Sequence, residues 1–255
     1  TGIYTVSMNI SSGLAAGFSY SLAQYAGWQI ALGFSVILGG LTLLIWVPLL
    51  RTSKVDMHIP KTTIAPKKMW RHPLAWAIAG AMGLQSFLFY CCAAWIPDIY
   101  VSQGLDAASA GWMVSVMQFA QIPMTFLIPI LAGKMTSQRP IVVFFTICYL
   151  IGFSGMLFEW TGLAVLWMIF LGFAGGASFG LVLMLFNLRT TNAFEAAELS
   201  GFAQSIGYLV AAIGPVLFGF VHDVTESWFV PLALFVVISV LLFFASFASA
   251  KNRTI

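Results

Sequence analysis

"SGFAQSIGYLVAAIGPVLFGFVHD", residues 200–223, carries no Asp, Glu, Lys or Arg until Asp223, yet holds a Gly-Pro pair near its centre and a glutamine, Gln204, close to its start. An uncharged apolar stretch of about twenty residues is long enough to cross the roughly 30 Å hydrocarbon layer as a helix. Pro215 costs less there than in a helix facing water, because neighbouring helices and local adjustments re-satisfy the carbonyl it frees. The stretch reads as a membrane span that faces other spans.

The rest of the chain has the same character. Of its 255 residues 60% are hydrophobic and 7% charged, and the mean hydropathy is +0.96. A soluble domain uses about 25% charged residues to cover its surface, so this chain cannot face water all round. The net charge of +3 would point to nucleic acid only if the basic residues formed one face. They fall in loops instead, and no nucleic-acid partner is expected. The opening lacks a basic stretch followed by a small-residue cleavage site, so no cleavable signal peptide is expected. The chain begins at Thr1 rather than Met, and further sequence upstream is expected.

Eight apolar segments follow one another, at about 2–24, 28–50, 73–96, 110–132, 140–158, 163–187, 201–221 and 228–250. Residues 1–50 contain no Asp, Glu, Lys or Arg. As one helix they would be about 75 Å long, far beyond a single crossing, so they are expected to fold back, at "QYAGWQ", Gln24 to Gln29. The fifth and sixth segments are separated by "EWTG" at 159–162, which suits a tight helical hairpin.

With eight spans, all eleven Lys and Arg residues lie on one side. Arg51, Lys54, Lys61, Lys67, Lys68 and Arg71 fall between the second and third segments, Lys134 and Arg139 between the fourth and fifth, Arg189 between the sixth and seventh, and Lys251 and Arg253 at the end. The opposite loops hold only Asp98, Asp106, Glu159, Asp223 and Glu226. The positive-inside rule then puts both ends of this chain in the cytoplasm. The polar stretch at 51–72, with Pro60 and Pro66, reads as a basic interdomain loop near the headgroups, topogenic rather than lipid-specific.

A weak internal repeat accompanies this pattern. Gly2 and Gly201 each open a small-residue-rich span, and Trp28 and Trp228 each precede a second apolar span, at offsets of 199 and 200 residues. Six spans separate the copies, which preserves orientation and describes a parallel repeat of six helices.

The stretches "GLQSFLFYCCAAWIPDI" (83–99), "QFAQIPMTFLIPILAGK" (118–134), "FNLRTTNAFEAAELSGFAQSIGYLVAAIGPVLFGFVHD" (186–223) and the opening "TGIYTVSMNISSGLAAGFS" resemble the major facilitator superfamily, within it the bacterial cyanate and nitroimidazole-type branch. The resemblance covers essentially the whole chain and would make it spans five to twelve of twelve, with the first four absent. It implies an all-α membrane protein: 1–50 the last two spans of the N-terminal six-helix bundle, 51–72 the cytoplasmic interdomain loop, and 73–255 the C-terminal six-helix bundle. It also implies a bacterial inner-membrane location and a monomer when full length.

"GASFG" at 176–180 formally matches the G-x-S-x-G nucleophile elbow around Ser178. That motif needs a strand-turn-helix setting, and inside a span Gly172, Gly176 and Gly180 read better as a close helix-packing seam, as do Gly13 and Gly17. Cys91, Cys92 and Cys148 lie within spans without C-x-x-C spacing and away from His58, His72 and His222, so apolar packing is their expected role and no metal or cofactor is implied. The sequons at Asn9 and Asn252 would be embedded and cytoplasmic, and are discounted. Trp95 reads as an interfacial anchor, with an outer gate the sharper alternative.

Amide side chains inside spans are the informative feature. Gln85 sits four residues before Phe89, and Ser86 four before Tyr90; Gln118 and Gln121 share a face of the fourth segment, and Gln204 and Tyr208 a face of the seventh. Lipid offers such groups no hydrogen-bond partner, so they turn inward. Interhelical hydrogen bonds would explain any one of them; three spans with one each favour a shared polar cavity. The resemblance adds that the third segment lines a central path, which raises Gln85, Phe89 and Tyr90 above the rest. No charged residue is expected at mid-membrane depth, so a proton, if it is the coupling ion, must titrate on the absent spans or on the substrate.

The expected function, implied by the resemblance, is secondary transport of a small molecule, a cyanate-like anion or a nitroimidazole-like or other small organic solute, by alternating access. The expected substrate-binding residues are Gln85, Phe89, Tyr90, Gln118, Gln121 and Gln204. A receptor or scaffold without transport is the alternative, and an enzyme is not expected, since no acid, base or metal ligands converge. The 255-residue chain by itself is expected not to transport.

Overall fold

The computed structural model describes residues 2–52 and 68–255. It comprises eight long helices: α1 (Gly2–Ala26), α2 (Trp28–Thr52), α3 (Pro73–Ser102), α4 (Ala107–Lys134), α5 (Arg139–Leu157), α6 (Ala164–Leu188), α7 (Ala193–Thr225) and α8 (Phe229–Ser249). Most of the interdomain loop expected at 51–72, including Lys54, Lys61 and Lys67, lies outside the described residues.

Each apolar segment is a helix, and the fold-back within residues 24–29 occurs at Gly27, whose φ of 88° glycine adopts without a steric penalty. Helices α2 to α8 are long and apolar enough to cross a membrane. Helix α1 is as long as α2 at 25 residues, but Ser7, Asn9, Ser11, Ser12, Ser19 and Ser21 dilute its hydropathy. Part of that polarity faces protein: Gln118 of α4 donates to Ser12 Oγ at 2.6 Å, and Ser115 Oγ donates to the Gly13 carbonyl at 2.7 Å.

Two helices outrun their apolar segments by six residues or more. Helix α3 continues past residue 96 to Ser102, and α7 begins at Ala193 rather than 201. The early start of α7 is a capping arrangement. Asn192 Oδ1 accepts from Glu195 N at 2.9 Å, while Glu195 Oε2 accepts from the Thr191 N–H at 3.0 Å and from its hydroxyl at 2.8 Å. This satisfies orphan donors and sets a negative charge at the positive end of the helix. Hydropathy does not register a helical turn built from polar groups, so the sequence pattern missed it.

Helix α4 packs along α6, α3 along α7, and α5 on both α6 and α8, while α1 lies on α4 and α2 on α1. Ring stacking ties the bundle across its middle: Phe218 of α7 lies 4.4 Å from Phe235 of α8, which stacks on Phe153 of α5 at 4.6 Å. The α4–α6 seam depends on small residues. A Cβ added at Gly176 would drive into the Gln121 carbonyl, and one at Gly172 into that of Met117. Ser178 lies within the helix, fully buried, donating to the Gly175 carbonyl at 3.1 Å and 3.2 Å from the Tyr149 hydroxyl. The seam therefore holds helices together, and there is no elbow.

Loop charges collect at the two ends of the bundle. At one end the guanidinium of Arg139 lies 4.3 Å from the centre of the Phe247 ring. Beside it, Arg189 is buried, donating to the Ser249 carbonyl at 3.0 Å, to the Leu188 carbonyl at 3.3 Å and to Gln138 Oε1. Burial, and then the nearby Arg253, lower the Arg189 pKa, but an arginine remains protonated. At the other end, Glu159, His222 and Glu226 border one small cleft. Trp95, expected at an outer interface, is partly buried between helices: its indole donates to the Pro215 carbonyl of α7 at 2.9 Å and packs on Trp228.

Candidate functional site

A cavity of about 780 Å³ opens between α1, α3, α4, α6 and α7. Its shape begins with a close crossing: a Cβ on Gly207 of α7 would lie 3.0 Å from the Gly83 N of α3, so only glycine lets the two backbones approach this far. Gln85 follows Gly83 by two residues and Gln204 precedes Gly207 by three. The crossing thus brings two amides from distant parts of the chain to one wall.

The amides are oriented by neighbours rather than left to rotate. Gln85, buried, donates to Ser86 Oγ at 2.6 Å and approaches Met82 Sδ at 3.5 Å. Gln204 donates to Ser200 Oγ at 2.7 Å. Across the cavity, Gln121 donates to Gln118 Oε1 at 2.9 Å, and Gln118 passes the chain on to Ser12 of α1. Thr125 Oγ1 caps the Gln121 carbonyl at 2.9 Å.

Five of the six expected residues line this cavity: Gln85, Phe89, Tyr90, Gln121 and Gln204. Gln118 does not; it is fully buried behind the wall and fixes Gln121. The structure adds Asn9 of α1, Thr125 of α4, Asn187 of α6 and Tyr208 of α7. Asn9 carried the same signal as the glutamines, an amide within an uncharged span. Asn187 sits at the last turn of α6, where a polar residue reads as a boundary.

Among the described residues the lining has amides, hydroxyls, phenols and aromatic rings but no Asp, Glu, Lys, Arg or His. Amides both donate and accept, and phenols do likewise. The volume falls in the range of about 300–1,000 Å³ usual for small-molecule sites. Such walls suit a small solute with hydrogen-bonding edges and a flat apolar face. Among the described residues no group of three His, Cys, Asp or Glu could hold a metal ion, and the three cysteines are buried singly or side by side without a disulfide.

Comparison with known proteins agrees with this architecture. The model of the Major Facilitator Superfamily matches residues 1–215. The chain is 43% identical over 259 residues to a Bacillus subtilis (strain 168) protein described as an uncharacterized transporter, YycB, covering 99% of this chain and 63% of that protein. It is 32% identical over 256 residues to the 2-nitroimidazole transporter of Escherichia coli (strain K12), covering 100% of this chain and 65% of the relative. To the cyanate transport protein CynX of the same organism it is 25% identical over 228 residues, 89% of this chain and 59% of the relative. The chain thus spans under two thirds of the length of these relatives.

Proposed function

The chain belongs to the Major Facilitator Superfamily, and on that premise we propose that it forms the larger part of a secondary transporter that moves a small organic solute by alternating access. In this reading α1 and α2 belong to one six-helix half, α3 to α8 form the other, and residues 51–72 join them. The basic end of the bundle faces the cytoplasm, as the positive-inside rule requires of Lys and Arg near helix ends.

The observation that carries the proposal is the uncharged amide and aromatic lining of a cavity placed where helices of the two proposed halves meet. Gln85, Gln121 and Gln204 hold the solute's polar edge; Phe89 and Tyr90 cover its flat face. Gln118 acts through Gln121. A compact, neutral or weakly charged solute matches such walls better than a strongly charged one, whose desolvation they would not offset. The relatives named for 2-nitroimidazole and for cyanate mark the size range in which the solute is sought. A coupling proton would titrate outside this cavity or on the solute.

Uptake into, or release from, sealed vesicles holding the intact protein tests the reading, with labelled 2-nitroimidazole and cyanate as first probes. Solute flux above that of protein-free vesicles is expected, reduced about tenfold by Gln85→Ala or Gln204→Ala if each removes one net hydrogen bond worth about 1.4 kcal/mol. Binding without flux would replace the transporter by a receptor. Unchanged flux in both variants would remove the two amides from the site.

A further inference from the structure

Helix α4 carries Gln121, Thr125 and Pro129 at a spacing of four, so the three share one face, and all three line the polar cavity. A proline has no amide hydrogen, and its ring pushes away the carbonyl four residues earlier. Pro129 therefore leaves the Thr125 carbonyl without its helical donor. Among the described residues no side chain donates to that carbonyl. The proline ring is seated on Gly180 of α6, where an added Cβ would lie 3.3 Å from its Cδ. The arrangement is internal to α4 and α6, whatever packs across the cavity.

The Thr125 side chain has the same polarity as its backbone. Its hydroxyl spends its one hydrogen on the Gln121 carbonyl at 2.9 Å, which leaves lone pairs. Thr125, buried in the wall, thus offers the cavity two oxygens and no hydrogen. Gln121 gives one N–H to Gln118 and keeps its Oε1. On the α3 wall both N–H groups of Gln85 are taken, one by Ser86 Oγ at 2.6 Å and the other by Met82 Sδ at 3.5 Å, and again Oε1 is left.

We infer that the solute of this cavity is a hydrogen-bond donor, a neutral N–H or O–H compound of azole, amide or phenol type, held by the two oxygens of Thr125. This deepens the transport reading and rests on its assignment of the cavity as the solute site. A bare anion would face lone pairs here. A full cation would find no carboxylate on the described lining to offset its desolvation. The Asn9 amide and the phenols can still donate to an acceptor elsewhere on the solute. A backbone carbonyl is fixed by its helix and cannot turn aside when the wrong solute enters. A site built to bond an N–H or O–H therefore rejects the analogue lacking it, because its own buried acceptors are left unpaired.

Equilibrium dialysis on the purified intact protein in detergent tests the inference apart from flux. The probes are 2-nitroimidazole, buffered where its ring keeps the N–H, its N-methyl derivative, which lacks that hydrogen, and cyanate, which has none. The N–H probe should bind about tenfold or more tighter than the N-methyl one. Pro129→Ala supplies the missing N–H to the Thr125 carbonyl and should weaken binding of the N–H probe about three- to tenfold, with the N-methyl probe unaffected. Pro123→Ala, on the same helix but off the cavity lining, should change neither. Thr125→Val should weaken the N–H probe, and Thr125→Ser should restore it. Equal binding of the two azoles, tighter binding of cyanate, or binding of none of the three would overturn the donor class. An N–H preference that survives both Pro129→Ala and Thr125→Val would overturn the assignment to Thr125. Should Pro129→Ala not fold, the contrast between Thr125→Val and Thr125→Ser decides the same point. N–H-selective binding without flux in vesicles would defeat transport and leave the donor class standing, so the two failures are distinguishable.

Discussion

Gln118 of α4 donates to Ser12 Oγ of α1 at 2.6 Å while its own Oε1 accepts from Gln121 at 2.9 Å. One buried amide thereby joins the first helix to the wall of the cavity across more than a hundred residues of chain. Between helices in a membrane such bonds contribute about 0.6 kcal/mol on average, up to about 1.7. Replacing Gln118 with leucine removes both bonds and frees the Gln121 side chain. The expected result is a loss of about 1–2 kcal/mol in stability, read from denaturant unfolding of the purified protein in detergent, and weaker solute binding with the cavity lining itself intact. Unchanged stability and binding would show that Gln118 orients nothing.

The glycine seam makes a sharper contrast. At Gly176 a new methyl group would strike the Gln121 carbonyl, backbone that cannot swing aside, whereas a Cβ at Gly33 of α2 meets nothing within 4 Å. Gly176→Ala should destabilise by about 1–3 kcal/mol, the usual cost of overpacking. Gly33→Ala should be neutral or stabilise by up to about 1 kcal/mol, because alanine loses less backbone entropy on forming a helix. Thermal unfolding of the two variants side by side checks this, and equal midpoints would contradict the seam.

Asp106 ends the loop before α4, where its carboxylate accepts from the Ser109 N–H at 3.0 Å. Hydrogen bonds from Ser109, side chain first and then backbone, lower its pKa below the ordinary Asp value. A depressed carboxylate stabilises the fold above its unfolded pKa, and that contribution disappears as the pH falls through the folded value. The first turn of α4 should therefore exchange its amide hydrogens faster as the pH drops below about 4, after correction for intrinsic exchange. Asp106→Asn keeps a capping oxygen and should lose this acid sensitivity. Equal sensitivity in both proteins would assign it elsewhere.

Lys134 closes α4 and Lys251 follows α8, and Arg189, which donates to Ser249 of α8 and to Gln138, itself bonded to the Ala132 carbonyl of α4, places both at one end of the bundle. Both amines should resist a membrane-impermeant acylating reagent outside intact cells and react once the cells are opened. Modification of either in sealed cells would invert the proposed orientation.

How much of this was legible in the sequence depends on the range of the interaction. Helix number, approximate span and the gathering of charge at alternate loops follow from hydropathy and parity, because a lipid layer imposes the same demand on every span whatever its neighbours. The same demand exposed the amides: Gln85, Gln121 and Gln204 stand out because hydrocarbon cannot satisfy them. The start of α7 at Ala193 escaped, since a cap made by Asn192 and Glu195 is local polar chemistry that an apolar window does not register.

Sequence alone determined that the helices are apolar, how many there are, and which side chains must turn inward. Only the tertiary structure decided which inward faces meet. It set Gln118 behind the wall and Gln121 in it, three residues apart on one helix, and it paired Tyr90 with Tyr208 across 117 residues of chain. The physical reason is that burial is a property each residue reports singly through its polarity, whereas adjacency between helices is decided by where backbones can close, at Gly83 on Gly207 and Gly176 on Gln121. A glycine's identity does not disclose its partner.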